Sequence, residues 1–578
     1  MTERTEMTKE ELLAEFRVAD QDRLTIEDKV FNEHIRIVQE EINFGLPEYI
    51  YFKNCVFKGR LFFSGVTINC GIEFLDCRLE SRLEFLQCDI VENDGVRKYA
   101  KSQFTITNTF IYSFFVNSLS IRFKGLRIEN GSQINKLFFH NLSFENGGSL
   151  EIDSSSVRDI FDIDVLRANV GSTGSEIAGG IKILNCEQFT AKVRINRLKE
   201  GGFYSENTTF TSDLFLDFGK YDTLNFIQSE CKGSVSINEV SVNNLFLYES
   251  AFNKPVTQKT KGQLFPKKVT IHSCSFHDGL ELDGENIGDT FMDSLEIKAT
   301  NRLQGSINIR NYYIDITKLT GLNVNSIITF NECKFKTLTF NQFQNQGAVS
   351  FNPLTASGTN SEITIQNNSN LGVTSISNVD LNDFNLTITD SRLTDMQFFN
   401  VKWMGDEKLN AGKDNRHQKN REVFRQLKHA VEKQSDRISA LELKASEFKS
   451  YEKALNKEAK WYEKAQVWAM KTNDFGQNWF KPVRLLLVIT VIYHFSMFSV
   501  LICVPGDGKI IPDNTDYGSA LEMLPALLDP TSFPEDVFKD YDAKLKFGVF
   551  SKFIGYLYQI ILAFFIFQTI SAFRKYVK

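Results

Sequence analysis

FKNCVFKGRLFFSGVTINCGIEFLDCRLESRLEFLQCDI, residues 52–90, is the stretch on which the fold turns. It holds the same unit in FKNCVF (52–57), FLDCRL (74–79) and FLQCDI (85–90): an apolar residue, any residue, a small or polar pair, any residue, and an apolar residue. The unit recurs as FHNLSF (139–144), LYESAF (247–252), IHSCSF (271–276), FNECKF (330–335) and ITDSRL (388–393). Alternation of period two marks strands with one buried face, and its repetition without helical patterns between copies means that strands stack on strands. Motif ends at 57, 79, 252 and 276 leave gaps of 22 and 24 residues, which suit one coil of a parallel β-solenoid over 49–404 with ladders of Phe, Leu, Ile and Cys inside. A pair of β-sandwich domains ahead of a membrane anchor is the alternative architecture.

Composition agrees with a bulky, seldom broken chain: 52 Phe against 10 Pro in 578 residues. The nine cysteines include no CxxC pair, so neither a disulfide framework nor a zinc site is expected, and small buried thiols in a reducing compartment are. Residues 1–48 read as an N-terminal cap containing a short helix over TKEELLAEFR (8–17), with Thr8 as N-cap and Glu11 completing a capping box; 28–45 receive no assignment. Charge divides the chain. Residues 405–578 carry 26 Lys/Arg and 21 Asp/Glu, net +5, which leaves −11 of the whole-chain −6 for residues 1–404. An acidic solenoid is a poor partner for nucleic acid, and none is expected. Residues 405–472 read instead as a basic helical hairpin linker, with apolar positions three and four apart and a turn near 434–436 where Ser435-Asp436 interrupts the stripe and offers an N-cap to a second, longer helix.

The last part, 473–578, reads as a two-span membrane module. Leu485–Val504 is uncharged for 20 residues, and the apolar run Phe547–Phe573 is interrupted only by Lys552. Lys481 and Arg484 precede the first span, Arg574, Lys575 and Lys578 follow the second, and the loop 505–546 between them holds nine Asp/Glu and four Lys. Basic flanks belong inside, so both termini are expected in the cytoplasm and the loop outside, in keeping with an N-terminal segment that lacks a secretory apolar core. His494 near the middle of the first span, with Gln559 and Gln568 in the second, are the candidate pore or interhelical polar residues. Phe475, Gly476, Trp479 and Pro482 are the candidate interfacial hinge.

REVFRQLKHAVEKQSDRISALELKASEFKSYEKAL (421–455), NDFGQNWFKPVRLLLV (473–488) and AFRKYVK (572–578) together resemble the C-terminal module of bacterial membrane-anchored pentapeptide-repeat-like proteins. The resemblance implies a multi-pass protein of the bacterial inner membrane with a cytoplasmic β-solenoid. The five-residue A-(D/N)-L-x-x pattern of true pentapeptide repeats is missing upstream, so an irregular right-handed parallel β-helix is expected rather than a square coil. The expected function is a solenoid that senses or binds a cytoplasmic protein partner, coupled to a module that contacts the lipid bilayer, forms homo-oligomers and permits ion leakage as a stress or phage-defence effector. A passive membrane-tethered scaffold is the alternative. A β-helix carbohydrate-active enzyme is the third reading, but the acids in FDIDV (161–165), FLDFGKYD (215–222) and LELDGEN (280–286) form no acid and base constellation, and phosphate-binding, nucleophile-elbow and HExxH motifs are absent. No enzyme, cofactor or metal is therefore expected.

Overall fold

The computed structural model describes residues 4–18, 23–41, 49–68, 70–90, 104–121, 125–144, 148–168, 180–198, 201–259, 266–284, 290–358, 360–367, 369–412, 414–455, 459–503, 526–529 and 549–573. The chain divides into two units, 1–402 and 403–578.

The first unit is a β-solenoid of about 15 turns whose described strand pairs are all parallel. The stretch 52–90 shows how it is wound. Inward residues come in pairs two apart, at 50/52, 55/57, 61/63, 66/68, 72/74, 77/79, 83/85 and 88/90, and every one of them is buried. Each coil thus presents four inward pairs, which stack on the same pairs of the coils before and after. One column runs Ile26, Phe52, Phe74, Ile106, Ile128, Ile152 and Ile183, and continues by successive pairings to Ile388. Successive coils are mostly 21 to 26 residues long, as in Phe203 to Leu224 and Val269 to Leu295. Two longer ones, Ile72 to Phe104 and Leu150 to Ile181, contain 91–103 and 169–179, outside the described residues. Stacking brings like onto like: Phe52 lies 4.9 Å from Phe74, Phe63 lies 4.8 Å from Phe85, and Phe330 lies 4.8 Å from Phe351. Such ring pairs add about 0.5–1.5 kcal/mol each beyond burial.

The small or polar pair of the motif makes the corner. Its first member takes a left-handed backbone, as at Asn54 (φ 52°), Asp76 (φ 54°), Asn185 (φ 51°) and Asn207 (φ 48°), a conformation that Asn and Asp tolerate best among residues with a Cβ. Its second member points inward and, where it is Thr, Ser or Cys, serves the backbone of the turn. The Thr208 hydroxyl lies 3.0 Å from the Glu206 carbonyl and 3.2 Å from that of Ile183 one coil earlier, and it accepts the Cys186 N–H at 3.3 Å. Thr109 does the same with Thr107, Phe74 and Cys77, and the Cys77 thiol faces the Leu75 and Phe52 carbonyls. The eight cysteines between 55 and 333 are free and buried. Corner amides form ladders outside, with Asn108 donating to Asp76 at 2.6 Å and Asn207 to Asn185 at 3.2 Å.

The coil carries this corner twice. Cys55, Cys77 and Cys274 belong to one column, and Cys88 and Cys333 to the column half a coil away. Before the first coil comes helix α1 (Lys9–Val18), which buries Leu12, Leu13 and Phe16. Its capping box forms as expected: the Thr8 N–H donates to Glu11 at 2.7 Å and the Glu11 N–H to Thr8 Oγ1 at 3.3 Å. Strands Leu24–Glu27, Lys29–Phe31 and Ile35–Val38 already belong to the stack, so winding is under way by Leu24, inside the stretch read as the N-terminal cap and ahead of the unassigned 28–45.

The second unit is helical. Helix α2 (Arg416–Lys433) and α3 (Arg437–Ala454) form the hairpin, and Asp436 caps α3 by accepting the Ser439 N–H at 3.1 Å. The helical pattern continues in a separate α4 (Trp461–Lys471), followed by α5 (Phe480–Cys503) and α6 (Val549–Phe573). Among the described residues one segment, Lys552–Phe573, is long and apolar enough to cross a membrane.

Candidate membrane-associated helical module

The hairpin is fixed by two buried acids that the sequence did not single out. Asp406 accepts from Ser450 at 2.6 Å, Lys453 at 2.9 Å and Asn420 at 3.0 Å, and His417 Nδ1 lies 3.2 Å away. Burial alone would raise its pKa. The bonds from Ser450, Asn420 and Lys453, with the Lys453 charge, overcome that and hold the carboxyl at about 2. Glu447 on α3 likewise gathers Lys428 at 2.8 Å and Arg425 at 3.3 Å from α2. Much of the basic surplus of α2 is thus turned toward a buried carboxylate.

Between α4 and α5 the expected hinge is a tight turn. Phe475 and Gly476 both have left-handed backbones, at φ 57° and φ 87°. Asn473 closes the turn by accepting the Gly476 N–H at 2.9 Å, and its amide donates to Gln568 Oε1 on α6 at 2.6 Å. Phe475 is buried and lies parallel to Phe448, 6.1 Å away. Asn478 then caps α5, accepting from the N–H groups of Phe480 at 3.0 Å and Lys481 at 3.1 Å. Pro482 lies in the first turn of α5, where a residue without an amide proton is tolerated. Trp479 meets the edge of Phe573, with ring centroids 5.7 Å apart.

Helices α5 and α6 run antiparallel. Tyr493 stacks on Tyr558 at 4.0 Å, and the Tyr558 hydroxyl lies 3.0 Å from Thr490 Oγ1 and 2.9 Å from the Leu527 carbonyl. Leu486, Ile489, Leu527, Leu562 and Ile566 complete this core. The expected loop, 505–546, lies outside the described residues except for 526–529, and within that piece Leu527 reaches the level of Tyr558. His494, 6% exposed, follows Tyr493 on α5, and the half-buried Gln559 follows Tyr558 on α6, so the two stand at matching depth. Gln568 is distant from both along its helix and pairs with Asn473 instead. Outer faces of the two helices leave Leu487, Val488, Ile492 and Phe495 exposed on α5, and Phe553, Tyr556, Ile560 and Phe567 on α6.

Asn478 was legible as an Asn just before a helix with Pro in its first turn. Asn473 was not, because its partner lies 95 residues away. One acid in each of the three strand segments is drawn into a ladder contact: Asp164 takes a two-pronged bond from Arg197 at 2.7 and 2.9 Å, Asn238 donates to Asp217 at 3.0 Å, and Asn311 to Asp283 at 2.9 Å. The described residues hold no group of three His, Cys, Asp or Glu side chains placed to bind a metal ion. No protein-family model, curated protein or solved structure matches the chain.

Proposed function

We propose that this is a two-pass bacterial inner-membrane protein of the membrane-anchored pentapeptide-repeat-like kind. In this reading α5 and α6 are the spans, both termini are cytoplasmic, and the β-solenoid engages a protein partner. The observation that carries it is the antiparallel α5 and α6 pair, whose interior holds Thr490, Tyr493, His494 and Tyr558 while large apolar side chains face outward. Such a distribution suits lipid or a second copy of the chain on the outer faces. Leu527 at the level of Tyr558 supports a loop that dips back between the spans. Alkaline phosphatase fused after Asp516 should be active and fused after Lys578 inactive; equal activity at both points sinks the two-span topology.

Oligomerisation brings several copies of His494 to one depth, which is the basis for triggered ion leakage as a stress or defence response. Loss of induced depolarisation in His494→Leu supports that role, and depolarisation equal to wild type removes His494 from it. The passive scaffold is favoured by a different observation: Thr490, Tyr558, Asn473 and Gln568 all find partners within one chain. A monomer in nanodiscs selects the scaffold.

A further inference from the structure

Helix α4 belongs to neither the solenoid nor the proposed spans, and its surface is unlike that of α2 or α3. Val467 on one side packs with Ala445, Phe475 and Met470 and fixes the helix in the second unit. Trp461, Lys464, Trp468 and Lys471, at spacings of three and four, make the other side. Trp461 is 80% exposed and Trp468 63%, beside an exposed Tyr462 whose ring has Lys460 Nζ 5.7 Å from its centroid. Lys471 reaches Glu452 at 2.7 Å, and Lys460 and Lys464 are exposed in the N-terminal part of the helix. Largely exposed tryptophans interleaved with lysines are costly in water and well suited to the headgroup layer of a membrane, where the indole is half wet and the ammonium meets phosphate.

The depth of α4 follows from the packing of α5 on α6. Tyr493 facing Tyr558 and Trp479 facing Phe573 set a register in which Arg484, the last charge before the apolar stretch, comes level with Phe567. Trp468 lies parallel to Phe564, 6.4 Å from it, and Phe564 is three residues further in. At about 1.5 Å per residue that places Trp468 roughly 5 Å inside the level of Arg484, the depth at which interfacial helices seat their apolar side chains.

We propose that α4 lies in the headgroup layer of an anionic leaflet, with Trp461 and Trp468 seated at the acyl boundary and Lys460 and Lys464 on lipid phosphates. This rests on the reading of α5 and α6 as spans. The test reconstitutes the full chain in nanodiscs of phosphatidylcholine, with or without phosphatidylglycerol, and reads tryptophan fluorescence with lipids brominated near the headgroup or near the terminal methyl. Headgroup-side bromine should quench more strongly. The quenching should fall by more than half in Trp461→Phe with Trp468→Phe, which leaves Trp479 as the one tryptophan this reading keeps at the interface. Lys460→Glu with Lys464→Glu should lower it in anionic discs only. Quenching unchanged by the tryptophan pair, or indifferent to lipid charge, overturns the placement of α4. A chain that alkaline carbonate strips from vesicles overturns the spanning reading together with it, whereas an inserted chain with Trp461 and Trp468 unquenched overturns α4 alone.

Discussion

Asn207 and Thr208 show how much of the solenoid is settled by two side chains at a corner. Asn207 holds φ 48°, where a β-branched residue is strained by about 1–3 kcal/mol. Asn207→Val should therefore lower the melting temperature of the strand signal, while Asn207→Gly, which relieves the backbone and loses only the amide to Asn185, should stay near wild type. Thr208→Val keeps the shape but removes the hydroxyl that serves Ile183, Glu206 and Cys186, at a cost of about 1–3 kcal/mol for the groups left buried. Equal melting of Thr208→Val and wild type would show the inward hydroxyl to be mere filler. The sequence displayed this pair as small or polar without showing its work, because Asn, Asp, Ser, Gln and Glu all occupy the left-handed position, and Cys, Ser, Thr and Leu share the inward one. Burial further deactivates two of the inward thiols, pushing Cys186 up to about 11 and Cys274 up to about 12.

Among the helices, α2 and α3 were legible because their apolar period and the Asp436 cap are local, but the charges that hold them together were not. Asp406 looks like any surface acid until Asn420, Ser450 and Lys453 converge on it from 14, 44 and 47 residues away. Its folded pKa is depressed, so its stabilisation is complete above the ordinary carboxylate value and is lost as pH falls through that value toward about 2. The difference corresponds to roughly 2 kcal/mol. Helical melting of the wild-type chain in detergent should weaken by that amount between about pH 5 and pH 2, and Asp406→Asn should be less stable at neutral pH and flatter over that window. Parallel acid profiles for the two proteins would mean that another carboxylate governs the transition. In the α5 and α6 pair, Tyr558→Phe keeps the stack on Tyr493 but loses the hydroxyl to Thr490 and Leu527, for which about 0.6–2 kcal/mol is expected in micelles. Unchanged unfolding in graded detergent denaturant would assign the whole of that contact to the rings.

Across the whole chain, the repeat was visible while its period was blurred, and the reason is the doubled corner. FLDCRL and FLQCDI look like neighbouring copies of one unit, yet Phe74 and Phe85 sit in different columns of the same winding. Copies counted along the sequence therefore mix half coils with whole ones, and coils that lengthen at a turn disturb the count again. A stack in which each coil touches only its neighbours should tolerate losing one entire coil better than one misplaced side chain. Deleting Phe203–Thr223 joins Gly202 to Leu224 and brings Leu224 and Phe226 over Ile181 and Ile183, apolar on apolar, where Ile183 now meets Ser205. Phe226→Asp leaves the coil intact but sets a carboxylate between Phe203 and Phe252, whose rings lie 5.4 and 5.7 Å from that of Phe226, without a partner to offset its desolvation. The deletion should keep the strand signal and melt within a few degrees of wild type. The single charge should cost several kcal/mol and open the stack around residue 226 to hydrogen exchange. If the deletion proves the more damaging of the two, stability is carried by contacts longer in range than one coil, and the ladder of Phe, Ile and Leu is not the unit on which the solenoid is built.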